Sequence, residues 1–579
     1  MRTASTTASP SARKTVLMSS VCQPFGERHG DGFGVSYEGT HQIFWAQGIF
    51  RPRAVTNQWG IDFIAENLLA PTVTLHYPTM TQFVAEVKKG YDYVGLAFVA
   101  PTLHKVKPMI EAVRRHAPRS KIVLGGYGTA IGDQLASLGA DHICRGEGVA
   151  FMRELLGEPL DRPLVQPIIT QTASLFSVPM GGRTGYVFAG LGCPNGCDFC
   201  ATSHYFKREH IPLLPDGPSI LDAIQNLRRH YPDMVEFWIN DEDFLLNEAR
   251  GRGFLEAVRR SNLPPLSLSI FSSVKALSKY TATELVEMGV DWVWIGYEGK
   301  RAGYDKQQGR SYRELFADLS AHGISVQASM IIGFDYQTPE IIRQEFEELL
   351  ALKPTMCQFL IYGPAPGTPL HARMQAEGRL RPEIFGDYRQ ADGFTLGFEH
   401  PHIGVEEMSR IQRELYREEF ARLGPSVFRV AETWLNGHVT LRDHPAPRAR
   451  AKAVQYGVGS HRSMSIVPAS KAWLSAPIRR DLDRFQARLH RETGPMTVKE
   501  RLIARAVPAL MRYTDLALRY DLGQQPTFTR RTFRMAVRPL PLPARLVTKG
   551  LGRLPFALRK VVSLGVDSLS GPLDETPKR

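Results

Sequence analysis

Six cysteines in 579 residues are too few, and too unevenly placed, to form a disulfide framework. Cys22, Cys144 and Cys357 stand singly, as buried reduced thiols do, so a reducing compartment is expected. Long apolar runs are also missing. No stretch reaches the roughly 18 apolar residues that a membrane-spanning helix requires, and the opening MRTASTTASPSARK lacks the apolar core of a secretory signal. The expected location is therefore cytoplasmic. There is no repeat of solenoid period, no basic motif interleaved with aromatics and no recognisable nucleic-acid module, which sets nucleic acid aside as a partner. Acidic charge is scarce in one place only. Residues 401 to 579 hold about 32 Lys and Arg against 16 Asp and Glu, so the net charge of +13 resides in the last third.

With 43% apolar residues, the chain can bury several cores. Residues 1–13 are small and polar and read as a disordered tail. Residues 14–156 alternate strand and helix: apolar runs at 15–21, 73–76, 93–98 and 121–124, a last short strand at Cys144, and helical patterns at 61–69, 80–89 and 107–116. The reading is a doubly wound α/β domain, whose ligands bind at the carboxyl ends of its strands. A Pro-rich linker, 157–179, separates it from a second series, 180–384. There, strands at 184–189, 234–240, 266–274, 291–297, 325–333 and 356–362 alternate with helices. Thr281 with Glu284, Ser311 with Glu314, and Thr338 before Pro339 mark helix starts. Six strand-helix units predict a partial (βα)6 barrel with its site at the strand ends. Residues 385–579 read as a basic helical region. Within it, Arg538 to Val562 mixes cations with aliphatics, a pattern that suits an anionic membrane surface, an acidic partner or a solvated appendage.

The chemistry concentrates just past the first barrel strand. Cys193, Cys197 and Cys200 in GCPNGCDFC have C-x3-C-x2-C spacing, which supplies three thiolates and leaves one iron of a four-iron cluster open to a small molecule. A zinc knuckle would want a fourth ligand, for which His204 is the nearest candidate. Asp241, Glu242 and Asp243 follow the second strand, as acceptors for a cation or as a helix-capping turn. Glu298 ends the fourth strand. Gly333 ends the fifth, and Pro366-Gly367-Thr368-Pro369-Leu370 follows the sixth.

These motifs resemble those of the radical S-adenosylmethionine superfamily, and the preceding α/β domain resembles that of its cobalamin-binding subclass, over about residues 15 to 430. The resemblance implies a [4Fe-4S] cluster on the three cysteines as the catalytic metal site. It implies S-adenosylmethionine chelated to the open iron and cleaved to a 5′-deoxyadenosyl radical. Phe199 would lie near the adenine, Asp241, Glu242 and Asp243 near the methionine ammonium, and Glu298 against the cofactor. Gly125, Gly126 and Thr129 in GGYGT, with Gly146, Glu147 and Gly148 in RGEG, match the subclass turns that pass the corrin's nucleotide tail; Val94 to Thr102 would line the other wall. His29, in an E-x-H-x-x-G, is a near miss to the motif that supplies a cobalt ligand. The function implied is a cobalamin-dependent C-methyltransferase acting on a small-molecule or lipid-like substrate, reduced by a flavodoxin or ferredoxin. Ring formation or rearrangement without methyl transfer is the alternative within the subclass, and a noncatalytic cobalamin sensor or carrier the alternative outside it. A methylthiotransferase would carry a second set of three cysteines, which this N-terminal domain lacks. The basic tail allows peripheral contact with the inner membrane face.

Overall fold

A computed structural model describes residues 14–26, 42–54, 58–180, 182–299, 301–520, 522 and 525–534. His29, the tail from 538 to 562 and the first 13 residues lie outside the described residues. Five short strands, β1 (Val16–Ser20), β2 (Thr72–His76), β3 (Tyr93–Ala97), β4 (Lys121–Gly125) and β5 (His142–Ile143), form a parallel sheet ordered β2-β1-β3-β4-β5. Burial on both faces explains their near-continuous apolar runs. The order reverses between β1 and β3, the point where open α/β sheets leave a crevice at their strand ends.

The second sheet contains β6 (Thr170–Gln171), β7 (Thr184–Phe188), β8 (Glu236–Asn240), β9 (Ser267–Phe271), β10 (Val290–Glu298), β11 (Ser325–Ile332) and β12 (Met356–Ile361) in spatial order, with β7 to β12 parallel and β6 antiparallel on the open edge. The predicted helix starts are present. Thr281 and Glu284 form a reciprocal capping box, Ser311 caps through the Glu314 N–H, and Thr338 caps ahead of Pro339. The outer face of the sheet, represented by Phe237, Ile239, Leu268, Ile270, Val293 and Ile295, is almost wholly buried.

The C-terminal region is largely helical, as expected, and its helix Pro447–His461 closes the amino-terminal rim of the barrel: the Lys452 ammonium lies 2.6 Å from Asp291, which also accepts from Tyr456 at 2.9 Å. One element departs from the helical reading. Thr529–Phe533 forms a further strand, β13, antiparallel on the β2 edge of the first sheet. Its two arginines are pinned by acids distant in sequence, Arg530 by Glu86 at 3.0 Å and Arg531 by the buried Asp62 at 3.0 Å. Among the described residues, no helix is long and apolar enough to cross a membrane.

Burial works against the Glu86 carboxylate, but hydrogen bonds from Arg530, Lys89 and Tyr91 bring its pKa from 4.5 down to about 2. A depressed carboxylate contributes stability that is present above pH 4.5 and lost as the pH falls toward 2. Thermal melts of Arg530→Ala are therefore expected to show a loss of roughly 1.5–3 kcal/mol at pH 7, the worth of a charge-assisted bond, and a smaller loss near pH 2.

Candidate radical site at the facing strand ends

Beyond β7, the chain turns through Gly192 and Gly196, both at positive φ, into the cysteine loop. Three bonds set its shape. The Ser203 hydroxyl donates to the Cys193 carbonyl at 2.6 Å and accepts from the Gly196 N–H at 3.2 Å, and the Cys200 N–H donates to the Cys197 carbonyl at 3.0 Å. Asn195 is held by Asp243 at 3.0 Å. All six cysteines are unbridged, and Cys193 and Cys197 are buried. His204 Nε2 lies 3.1 Å from the Cys197 carbonyl, and among the described residues no group of three or more His, Cys, Asp or Glu is arranged to hold a metal ion. Burial pushes the thiols of Cys193 up to about 12 and Cys197 up to about 11, and raises that of Cys200. Such thiols ionise only against strong positive charge, such as that of a bound metal.

The three acids after β8, alike in sequence, have separate roles. Asp241 is buried and engaged by Arg250 at 2.6 Å and His210 at 3.0 Å. Burial opposes its charge, but these partners hold its pKa below the ordinary value. Asp243 is buried too, accepting from Ser272 at 3.1 Å and the Ser273 N–H at 3.0 Å as well as from Asn195, so it braces the cysteine loop. Glu242 alone keeps its carboxylate unengaged among the described residues. It reaches solvent, yet protein crowds it enough that burial, with Asp241 adding repulsion, raises its pKa to about 7. It is the member of the run free to receive a cation.

Across the barrel mouth, Glu298 is buried, with φ +60°, where β10 slips register against β11. A non-glycine residue held there is strained, a common property of functional positions. One carboxylate oxygen pairs with Lys306, and the other has no hydrogen-bond partner among the described residues. Lys306 was not among the residues singled out in the sequence. Its ammonium lies 5.7 Å from the centre of the Phe199 ring. Burial disfavours its charge, but Glu298 and the sulfurs of Cys197 and Cys200 raise its pKa above the ordinary value. Also unforeseen is the clasp on Asp198, between the second and third cysteines: Tyr304 and Tyr362 each donate to one of its oxygens at 2.6 Å. Both tyrosine rings meet Phe199 edge-on, at 5.6 and 5.9 Å, and fix the aromatic beside Cys200.

The first sheet meets this loop directly. From the helix that Cys200 starts, the Tyr205 hydroxyl reaches the Gly126 and Cys144 carbonyls at 3.3 and 3.2 Å and the Thr129 hydroxyl at 2.9 Å. The carboxyl ends of β4 and β5 thus face the cysteine loop, and Tyr127 packs on Tyr205 at 5.1 Å. Gly126, at φ +87°, leaves no room for a side chain, because a Cβ there would lie 2.7 Å from the Phe98 carbonyl. By contrast, a Cβ on Gly125 or Gly146 would meet no atom within 4 Å. Thr129 and Glu147 are committed to structure: Thr129 is buried in the bonds just named, and Glu147 caps the helix Gly148–Leu156 through the N–H groups of Val149 and Ala150. Gly148 packs tightly on Ile64. In the later turns, the Gly333 N–H bonds Gln337 at 2.6 Å, and Gly367 rests against Ala130 of the first domain.

No family model matches the chain. It is 23% identical over 362 residues to bacteriochlorophyllide d C-12(1)-methyltransferase of Chlorobaculum tepidum, covering 57% of this chain and 75% of that enzyme. It is 21% identical over 326 residues to anaerobic magnesium-protoporphyrin IX monomethyl ester cyclase of Rubrivivax gelatinosus, covering 48% and 58%. Among solved structures, the radical S-adenosylmethionine methyltransferase TsrM of Kitasatospora setae, with cobalamin and a [4Fe-4S] cluster bound, aligns at a TM-score of 0.49 and 13% identity, over 78% of this chain and all of that one.

Proposed function

We propose that this chain, a cobalamin-binding radical S-adenosylmethionine protein by its cysteine loop, domain order and sequence relatives, is a C-methyltransferase acting on an unactivated carbon. The observation that carries the reading is Tyr205, which ties the helix started by Cys200 to the β4 and β5 ends and so sets two candidate cofactor sites face to face. Cys193, Cys197 and Cys200 would hold a [4Fe-4S] cluster, and Gly125 and Gly146 would let a corrin approach the first sheet, with Gly126 holding the turn against Phe98. When bound, the cluster with S-adenosylmethionine supplies hydrogen abstraction, and cobalamin supplies the methyl group.

The chain's own groups position and neutralise. Glu242 would accept the methionine ammonium, whose positive charge favours the ionised carboxylate and so draws its pKa below 7. Lys306 offsets the negative sulfurs on the Cys197 side. Glu298, with one buried oxygen unpartnered, would accept a hydrogen bond from a bound nucleoside, and Phe199, clamped by Tyr304 and Tyr362, would offer a fixed ring edge for its base. A one-electron donor of the flavodoxin or ferredoxin kind would complete the turnover.

Anaerobic reconstitution with iron, sulfide, cobalamin and S-adenosylmethionine, followed by reduction with dithionite as the one-electron donor, tests this reading. Formation of both 5′-deoxyadenosine and S-adenosylhomocysteine is the expected result. 5′-Deoxyadenosine alone would favour ring formation without methyl transfer, the second reading, to which the 21% identity with the cyclase lends support; neither product would refute both. Glu242→Gln is expected to keep the cluster spectrum while raising the S-adenosylmethionine concentration needed for half-maximal cleavage by about 10- to 100-fold, the worth of one charge-assisted contact.

A further inference from the structure

The helix Val498–Arg519 is apolar on two sides. Its inner side buries Val507, Met511 and Ala517, and the first two join a core with Ile49, Phe50, Leu435 and Val467. A surface helix needs one such side, because its other face meets water and is ordinarily polar. Here that face is not polar. Val498, Leu502, Tyr513, Leu516 and Tyr520, which ends the helix, are each 50–70% exposed. At 3.6 residues per turn they fall, with Ala509 between them, within about 60° of the helix circumference. They form one continuous stripe, unlike the singly scattered apolar residues of an ordinary surface.

The stripe has a cationic border. Arg501, Arg505, Arg512 and Arg519, all exposed, line one flank in a strip about 40° wide by the same periodicity, and Lys499 lies on the other flank. The acids of the helix are occupied. Glu500 accepts from the Thr497 cap and lies 3.2 Å from His461, and Asp515 is paired with Arg519 at 2.8 Å. Of the four arginines, only Arg519 has an ion pair among the described residues. The outward face therefore offers apolar surface and uncompensated positive charge side by side, on a helix whose inner side fixes it to the fold.

We propose that this stripe is a membrane-docking face, which lays the helix along the surface of an anionic bilayer. Charge complementarity selects that occupant. A purely apolar partner would leave the arginine row unpaired, and a dissolved acidic ligand would leave the stripe wet, whereas an anionic lipid surface meets both at once. Leu502 and Leu516 enter the boundary of the acyl chains, Tyr513 and Tyr520 sit at headgroup depth, and the arginines lay their stems along the apolar surface with their guanidinium groups on the phosphates. The face lies within the folded region, apart in sequence from Arg538 to Val562, and the inference does not depend on which reaction the barrel performs.

The test is co-sedimentation of the full chain with vesicles of phosphatidylcholine mixed with phosphatidylglycerol, and with vesicles of phosphatidylcholine alone. The mixed vesicles are expected to bind it about 10-fold or more tightly than the neutral ones, and added salt to weaken that binding. Leu502→Ser combined with Leu516→Ser should bind the mixed vesicles about 10-fold or more weakly. Its melting temperature should be unchanged, because neither side chain is part of the core. Arg505→Gln combined with Arg512→Gln should lose most of the preference for the anionic vesicles. No binding to the mixed vesicles, equal binding to the two kinds, or full binding by the leucine variant would overturn the proposal; attachment through Arg538 to Val562 alone would give the last of these. A solution dimer that the leucine variant separates would also overturn it, by assigning the stripe to a second copy of the chain.

Discussion

Cys197→Ala, reconstituted anaerobically, is expected to lose the cluster's visible absorbance and most of its iron, and to form 5′-deoxyadenosine more than about 100-fold more slowly than the unchanged protein. Losing even an outer partner of a metal ligand costs roughly 10- to 100-fold, and a missing thiolate in a set of three leaves the cluster without one of its anchors. The fold should survive. The loop is shaped by Ser203 on the Cys193 carbonyl, by Asn195 on Asp243 and by the Cys200 N–H on the Cys197 carbonyl, none of which uses the Cys197 sulfur. Circular dichroism and melting temperature are thus expected to change little, which separates lost ligation from lost structure. Lys306 gives a second readout: with the sulfur gone, its attraction to the site is reduced to Glu298 and Cys200. A Cys197→Ala protein with an unaltered spectrum and full cleavage would overturn the assignment of the cysteines.

The elements legible in the sequence are those whose signals are local. Six barrel strands follow from apolar runs between capped helices, and the cysteine loop follows from spacing. The residues that were not legible depend on distant parts of the chain. Lys306 lies eight residues past Glu298 in a short 3-10 turn and becomes significant only when that turn folds back over the cysteine loop. The Asp198 clasp joins residues more than 100 positions apart. β13 reads as a polar, Arg-rich segment because the acids that neutralise it belong to the first domain. Asp241, Glu242 and Asp243 are equivalent by composition, and the exit direction of β8 alone decides which is engaged by Arg250, which braces the loop and which remains open. Glu147 and Thr129 illustrate the converse: their motifs are visible in the sequence, but their side chains are committed to holding their own turns together.

The largest stability effect is expected far from the site, at Lys452. Its ammonium is almost fully buried at the amino-terminal rim of the barrel, bonded to the Leu266 carbonyl and paired with Asp291, which also accepts from Tyr456. Burial lowers the lysine's pKa, and attraction to Asp291 offsets part of that. Lys452→Ala leaves Asp291 as a buried charge with a hydroxyl as its remaining named partner, and should cost about 3–5 kcal/mol, read as a fall in melting temperature. Lys452→Met combined with Asp291→Leu removes both charges and should recover most of the loss, because two apolar side chains in a packed rim incur no desolvation penalty. Cluster content per folded molecule should be unchanged in all three proteins, since the rim lies at the opposite end of the strands from the cysteines.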